Sequence, residues 1–102
     1  MSIIDLTSRR QRRAAPVAEL ADESLVAMMA SGSADAVTEL SARYRGRVEH
    51  LGVQLLGDRG LAEEMTQETF TRLRRRANEY DPERGSVPSF VFTIARRVAV
   101  DI

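Results

Sequence analysis

The chain has 102 residues, 43% hydrophobic and 29% charged, which suits one soluble domain with a thin core, since so short a chain buries only somewhat over ~60% of its unfolded surface. Its formal net charge is zero, and all fifteen of its cations are arginine; that usage fits either a GC-rich coding sequence or a demand for planar, bidentate contacts. Cysteine is absent, which excludes a disulfide framework, a thiolate zinc site and a cysteine nucleophile and fits a reducing cytoplasm.

Residues 1–20 lack sustained periodicity and hold Arg9, Arg10, Arg12, Arg13 and Pro16, so a flexible basic tail is expected. It is either a solvated terminus or a weak phosphate-binding arm. The opening "MSIIDLTSRRQRR" has neither the charge order nor the apolar length of a signal peptide, and no window resembles a membrane span, so a cytoplasmic location is expected.

From Asp22, "DESLVAMMASG" carries Leu25, Val26 and Met29 at helical spacing and stops at Gly32, a residue favoured just past a helix end. A second, long amphipathic helix follows, with Val37, Leu40, Tyr44, Val48, Leu51 and Leu55 as its stripe and Gly57 as its stop. Gly46 and Gly52 inside it lower helix propensity by about 1 kcal/mol each. The lone imidazole of His50 has no clustered second ligand and is assigned no chemistry.

Asp58 can cap a third helix. At about 100° per residue, Ala62, Met65, Thr66, Thr69, Phe70, Leu73 and Ala77 fall on its core side. Glu64, Gln67, Glu68, Thr71 and Arg75 fall in a narrow arc opposite. Pattern alone explains this strip by solvation and helix-dipole compensation, with acids at the N-terminal end and arginines at the C-terminal end. Next, "NEYDPERGSVPSF" punctuates a loop at Asp81-Pro82 and Gly85, and Ser86 to Pro88 can open a fourth helix. Val91, Ile94, Ala95, Val98 and Ile102 form its expected buried face. Ser89, Thr93, Arg96, Arg97 and Val100 point away, with Phe90 and Phe92 on the flanks. The fold class is therefore all-α, a compact bundle of about four helices with Leu40, Tyr44, Val48, Leu51, Phe70, Leu73, Ile94 and Val98 in one core.

Three segments in order, "ESLVAMMASGSADAVTELSARYR", "DRGLAEEMTQETFTRL" and "YDPERGSVPSFVFTIARRVAVD", resemble the region 2 domain of bacterial RNA polymerase sigma factors of the extracytoplasmic-function group. The "QETF" core of the third helix and the later "IARRVAVD" carry most of the likeness, which spans Asp22 to Ile102. Residues 21–102 would then be the region 2 helical domain, stopping before the rest of region 2.4, the linker and the second, helix-turn-helix domain that reads the −35 element.

The resemblance implies that the third helix docks on the clamp helices of the beta-prime subunit of core RNA polymerase through Glu64, Gln67, Glu68, Thr71 and Arg75. It also implies that the loop and fourth helix contact the non-template strand of the promoter −10 element. Strand capture needs cations, flat rings and a pocket, and the matching positions are Tyr80, Arg84, Ser86, Phe90, Thr93, Arg96 and Arg97. Arg74 and Phe90 stand where the family usually has tryptophan, and Arg97 stands where it commonly has a base-reading asparagine. Arginine suits guanine edges or phosphate better than asparagine does. An anti-sigma factor is a further partner implied by the resemblance. A helical protein-interaction adaptor without DNA binding is the alternative, to be decided by whether arginines on the outer side of the fourth helix run on from Arg84. No cofactor is expected, and Glu63, Glu64 and Glu68 lack the histidine, cysteine or phosphate loop that would make them catalytic.

Overall fold

A computed structural model describes residues 16–102, and within them the chain forms four α-helices and no strand. They are α1 (Asp22–Ala30), α2 (Ala34–Leu56), α3 (Arg59–Arg76) and α4 (Val87–Asp101), with 3-10 turns at Val17–Glu19 and Ala77–Glu79. No helix among the described residues is long and apolar enough to cross a membrane. The arginines expected in a basic tail, Arg9 to Arg13, lie outside the described residues. Residues 17–19, assigned by the sequence to that tail, form a turn, and Val17 and Leu20 pack against the core.

The helix boundaries follow from local chemistry. Ser33 caps α2 by accepting from the Ala36 amide at 3.1 Å, Asp58 caps α3 by accepting from Leu61 at 2.9 Å, and Ser86 caps α4 by accepting from Ser89 at 3.2 Å. Gly32 and Gly57 end α1 and α2 with φ of 95° and 68°, a left-handed backbone that costs glycine no Cβ clash.

The apolar stripes of the four helices meet in one core. Leu25, Val26, Met29, Leu40, Tyr44, Val48, Met65, Leu73, Val91, Ile94 and Val98 are all buried, and Phe70 nearly so. Three expected core positions differ. Leu51 is only partly buried, Leu55 is 52% exposed, and Ile102 is 48% exposed beyond the last turn of α4. The first two lie on the last turns of α2, and the third follows the end of α4.

Gly52 has a use that propensity does not reveal. A Cβ there would lie 2.8 Å from Ala62 Cβ and 2.9 Å from its Cα, so the bare glycine lets α2 and α3 approach closely. Gly46, by contrast, faces open space.

At the other end of the bundle, Asp22 binds two successive residues of α2. It accepts from the Tyr44 hydroxyl and, at 2.9 Å, from Arg43 Nη1. Arg43 also donates to Glu39 and to the Val17 and Ala18 carbonyls, which stitches the first 3-10 turn to α2.

Candidate functional site

Two surfaces gather the candidate residues. The first is built where the chain leaves α3, makes its second 3-10 turn and enters α4 through the loop 80–86. The Asp81 carboxylate accepts from the Glu83 amide at 2.9 Å and the Asp81 carbonyl from the Arg84 amide at 3.0 Å, so the "DPER" segment is a tight, self-bonded turn. The Tyr80 hydroxyl donates to the Gly85 carbonyl at 3.0 Å, and its ring meets Phe90 edge-to-face at 5.4 Å. Partial burial, with the nearby carboxylates of Glu23, Asp81 and Asp22, raises the Tyr80 phenol above its ordinary range and keeps it a neutral donor.

These contacts enclose a cleft of about 270 Å³ whose lining includes Tyr80, Arg84, Ser86, Phe90 and Thr93, five of the seven residues expected to meet DNA. Arg76 and Glu79 close it from the α3 side. The cleft offers aromatic surface, hydroxyls, the Arg76 and Arg84 cations and the Glu79 and Asp81 carboxylates around one concavity, a combination able to accept a flat heteroaromatic ring and its polar edge. Arg96 and Arg97 do not line it. They are exposed one turn further along α4, on the helix that the loop of Arg84 leads into.

The second surface is the polar strip of α3. Glu64, Gln67 and Arg75 are exposed and Glu68 and Thr71 half-exposed, opposite the buried Met65, Thr66, Thr69, Phe70 and Leu73. The two buried threonines are satisfied by donating to the Ala62 and Met65 carbonyls at 2.7 and 2.6 Å, so they occupy core positions without an orphaned hydroxyl. Glu64, Gln67, Glu68 and Thr71 border a shallow groove whose other wall is the end of α4 at Val98 and Asp101.

Arg72, which sequence reasoning passed over, bridges that groove. Its Nε lies 3.1 Å from Glu68 and its Nη1 2.9 Å from Asp101. The i, i+4 spacing of Glu68 and Arg72 was the available signal; the partner on α4 had none.

Also missed was Arg47, whose guanidinium stacks 4.4 Å from the Tyr44 ring centroid and 5.8 Å from that of Phe92. Phe92 itself meets Tyr44 edge-to-face at 6.2 Å. Both flanking phenylalanines of α4 are thus half-buried, each against a tyrosine from a different part of the chain. Among the described residues no group of three or more histidine, aspartate or glutamate side chains is arranged to hold a metal ion.

Comparison with known proteins settles the family. The model of the Sigma-70 region 2 family matches residues 40–102. The chain belongs to the sigma-70 region 2 family. That family is not enzymatic. The region 2 chain is 38% identical over 77 residues to the ECF RNA polymerase sigma factor SigK of Mycobacterium sp. (strain KMS), covering 76% of this chain and 40% of that protein. It is 37% identical over 79 residues to SigK of Mycolicibacterium vanbaalenii, covering 78% of this chain and 40% of the relative. SigK of Mycobacterium tuberculosis (strain ATCC 25177 / H37Ra) is 34% identical over 79 residues, with 78% and 42% covered. The chain thus spans about 40% of the length of these relatives. No solved structure matches it.

Proposed function

We propose that this region 2 chain docks on core RNA polymerase through the α3 strip and captures the separated non-template strand of a promoter −10 element with the loop and outer face of α4. The carrying observation is the cleft of Tyr80, Arg84, Ser86, Phe90 and Thr93, adjoined on the same helix by the exposed Arg96 and Arg97. A flipped base would sit against the Tyr80–Phe90 pair, and the arginines would meet phosphates on either side of it. Arg97, aligned with the base-reading position of the family, is assigned a base-edge contact.

The α3 strip supplies the protein side. Its acids at one end and arginine at the other suit a complementary charged helix pair such as the beta-prime clamp, where complementarity fixes register and speeds encounter. The groove beside the strip and the cleft share no lining residue, so polymerase and DNA can be held together. An anti-sigma factor that inhibits such a chain would cover one or both, and the cytoplasm is where polymerase and promoter are found. An aromatic cleft on the helix that carries Arg96 and Arg97, which form no ion pair among the described residues, favours a nucleic-acid partner over a protein-binding adaptor.

The test measures binding of the chain, in complex with bacterial core polymerase, to −10 oligonucleotides as single strands and as duplexes. Preference for single strands is expected. Arg84→Ala and Arg96→Ala should weaken all sequences alike and flatten the salt dependence by about 0.7 for each phosphate no longer neutralised, whereas Arg97→Ala should change which base is preferred. Equal binding of single strands and duplexes overturns strand capture. Uniform weakening by Arg97→Ala reduces that residue to a backbone contact.

A further inference from the structure

The cations of this chain differ in what already holds them. Arg43 spends its donors on Glu39, Asp22 and two carbonyls; Arg45 pairs with Glu49, Arg72 with Glu68 and Asp101, and Arg76 with Glu79. Arg47 is ordered in another way. Its guanidinium carbon lies over the Tyr44 ring and near that of Phe92, and no carboxylate among the described residues lies within ion-pair distance of it. A guanidinium held over a ring keeps N–H donors available beyond any turned to the Tyr44 hydroxyl beside it. Arg47 is thus an exposed cation, held in place by rings and by no carboxylate among the described residues.

Its position connects to α4. At about 100° per residue, the outer face of α4 runs from Phe92 through Arg96, Ser89, Thr93 and Arg97 to Phe90, an arc of roughly 160°. The Phe90 edge borders the cleft, and the Phe92 edge borders Arg47 of α2. Arg96 stands one turn beyond Phe92, nearer that second edge. A strand whose base enters the cleft and whose backbone crosses α4, about 10–12 Å wide, meets Arg97 first, then Arg96, and leaves over Arg47.

We infer that Arg47 on α2 is a phosphate contact for single-stranded nucleic acid, extending the footprint across α4 and off its far edge. The inference rests on the strand-capture reading above. The chemistry required is one anionic phosphate oxygen within reach of two N–H groups of a guanidinium whose orientation is fixed before binding, so little side-chain entropy is lost on contact. Tyr44 and Phe92 act as its platform.

The experiment titrates the chain bound to bacterial core polymerase with a randomised single-stranded oligonucleotide at several salt concentrations, comparing wild type, Arg47→Gln, Arg47→Lys and Arg84→Ala. Arg47→Gln should bind severalfold more weakly at low salt, with a log–log salt slope shallower by about 0.7 and unchanged affinity for core polymerase alone. Arg47→Lys, which keeps the charge, should retain most of the slope. Arg84→Ala reports on the parent reading: if neither Arg84→Ala nor Arg47→Gln changes binding, strand capture fails and this inference with it. If Arg84→Ala weakens binding while Arg47→Gln leaves the salt slope untouched, the inference alone is overturned, and Arg47 serves only to cap Tyr44. Loss of core-polymerase affinity in Arg47→Gln likewise overturns it, since the cation would then face an acidic protein surface.

Discussion

The α3 strip and the α4 cleft are both polar surfaces on the same small core, yet they are built in opposite ways. The strip belongs to one helix, and at Glu68 its charge is already neutralised by Arg72, itself tied to Asp101. The cleft draws on the end of α3, one 3-10 turn, the loop and α4; its aromatic rings are locked edge-to-face, while Arg84 within it and Arg96 and Arg97 beyond it form no ion pair among the described residues. A partner for the strip therefore exchanges one set of ion pairs for another, which favours register over affinity. A ligand of the cleft meets one cation, Arg84, that no ion pair holds among the described residues, beside Arg76, which Glu79 already pairs.

The largest effect should come from what the two surfaces share. Leu73 is fully buried on the side of α3 opposite the strip. Leu73→Ala should destabilise the fold by about 2–5 kcal/mol in chemical denaturation and weaken both binding activities together. A change within experimental error would mean that the two surfaces do not depend on one core.

Next in size is the change that should separate them. Glu64→Lys with Glu68→Lys leaves the buried face of α3 intact, so far-ultraviolet circular dichroism should be unaltered while affinity for core polymerase falls by on the order of 3 kcal/mol through like-charge repulsion. Unimpaired binding by the folded double variant would remove the strip from the polymerase interface.

Alkaline pH reaches the α4 side from beneath. Burial, and then the Asp22 carboxylate, push the Tyr44 phenol from its ordinary 10.0 up to about 12. The folded value exceeds the unfolded one, so the neutral phenol contributes its full stability below about pH 10 and loses it as pH rises through about 12. The amount is about 2–3 kcal/mol. Because the Tyr44 ring touches Phe92 and Arg47, this loosening falls on the α4 flank and not on the strip. Tyr44→Phe should flatten the alkaline limb of denaturation stability; an unchanged limb would place the titrating group elsewhere.

The same contrast explains what could be read from the chain. A helical wheel places Glu64, Gln67, Glu68, Thr71 and Arg75 on one face because position on a helix depends only on spacing, and the structure puts all five on the side away from the core. The helix starts at Asp58 and Ser86 were legible for a similar reason, each cap being a local bond over three residues; the cap at Ser33 is of the same kind but was not singled out. The cleft was not legible from pattern. Its residues were singled out by resemblance, and their convergence depends on the 3-10 turn at Ala77–Glu79 and the Tyr80 to Gly85 bond, neither of which has a periodic signature. Contacts between helices were hidden for the same physical reason: nothing in the spacing of Gly52 announces Ala62, or of Arg47 announces Phe92. Leu55 and Ile102 were misplaced because a stripe predicts which side of a helix is apolar, not how far its neighbours extend.

The smallest effect should sharpen the comparison most. Arg72 joins the strip to the end of α4 through two ion pairs, but its own side chain and those of Glu68 and Asp101 keep 28%, 43% and 46% of their exposure. Pairs so open to water are worth about 0.2–1 kcal/mol each, screened by salt. Arg72→Gln should therefore lower stability by at most about 2 kcal/mol at low salt, with the difference shrinking at high salt, because the α3–α4 junction is held by Leu73, Ile94 and Val98 beneath it. Denaturation at two ionic strengths measures both quantities. A salt-independent cost well above that range would mean that the ion pairs carry the junction themselves, and the strip would then be a structural seam rather than a surface free to exchange its partners.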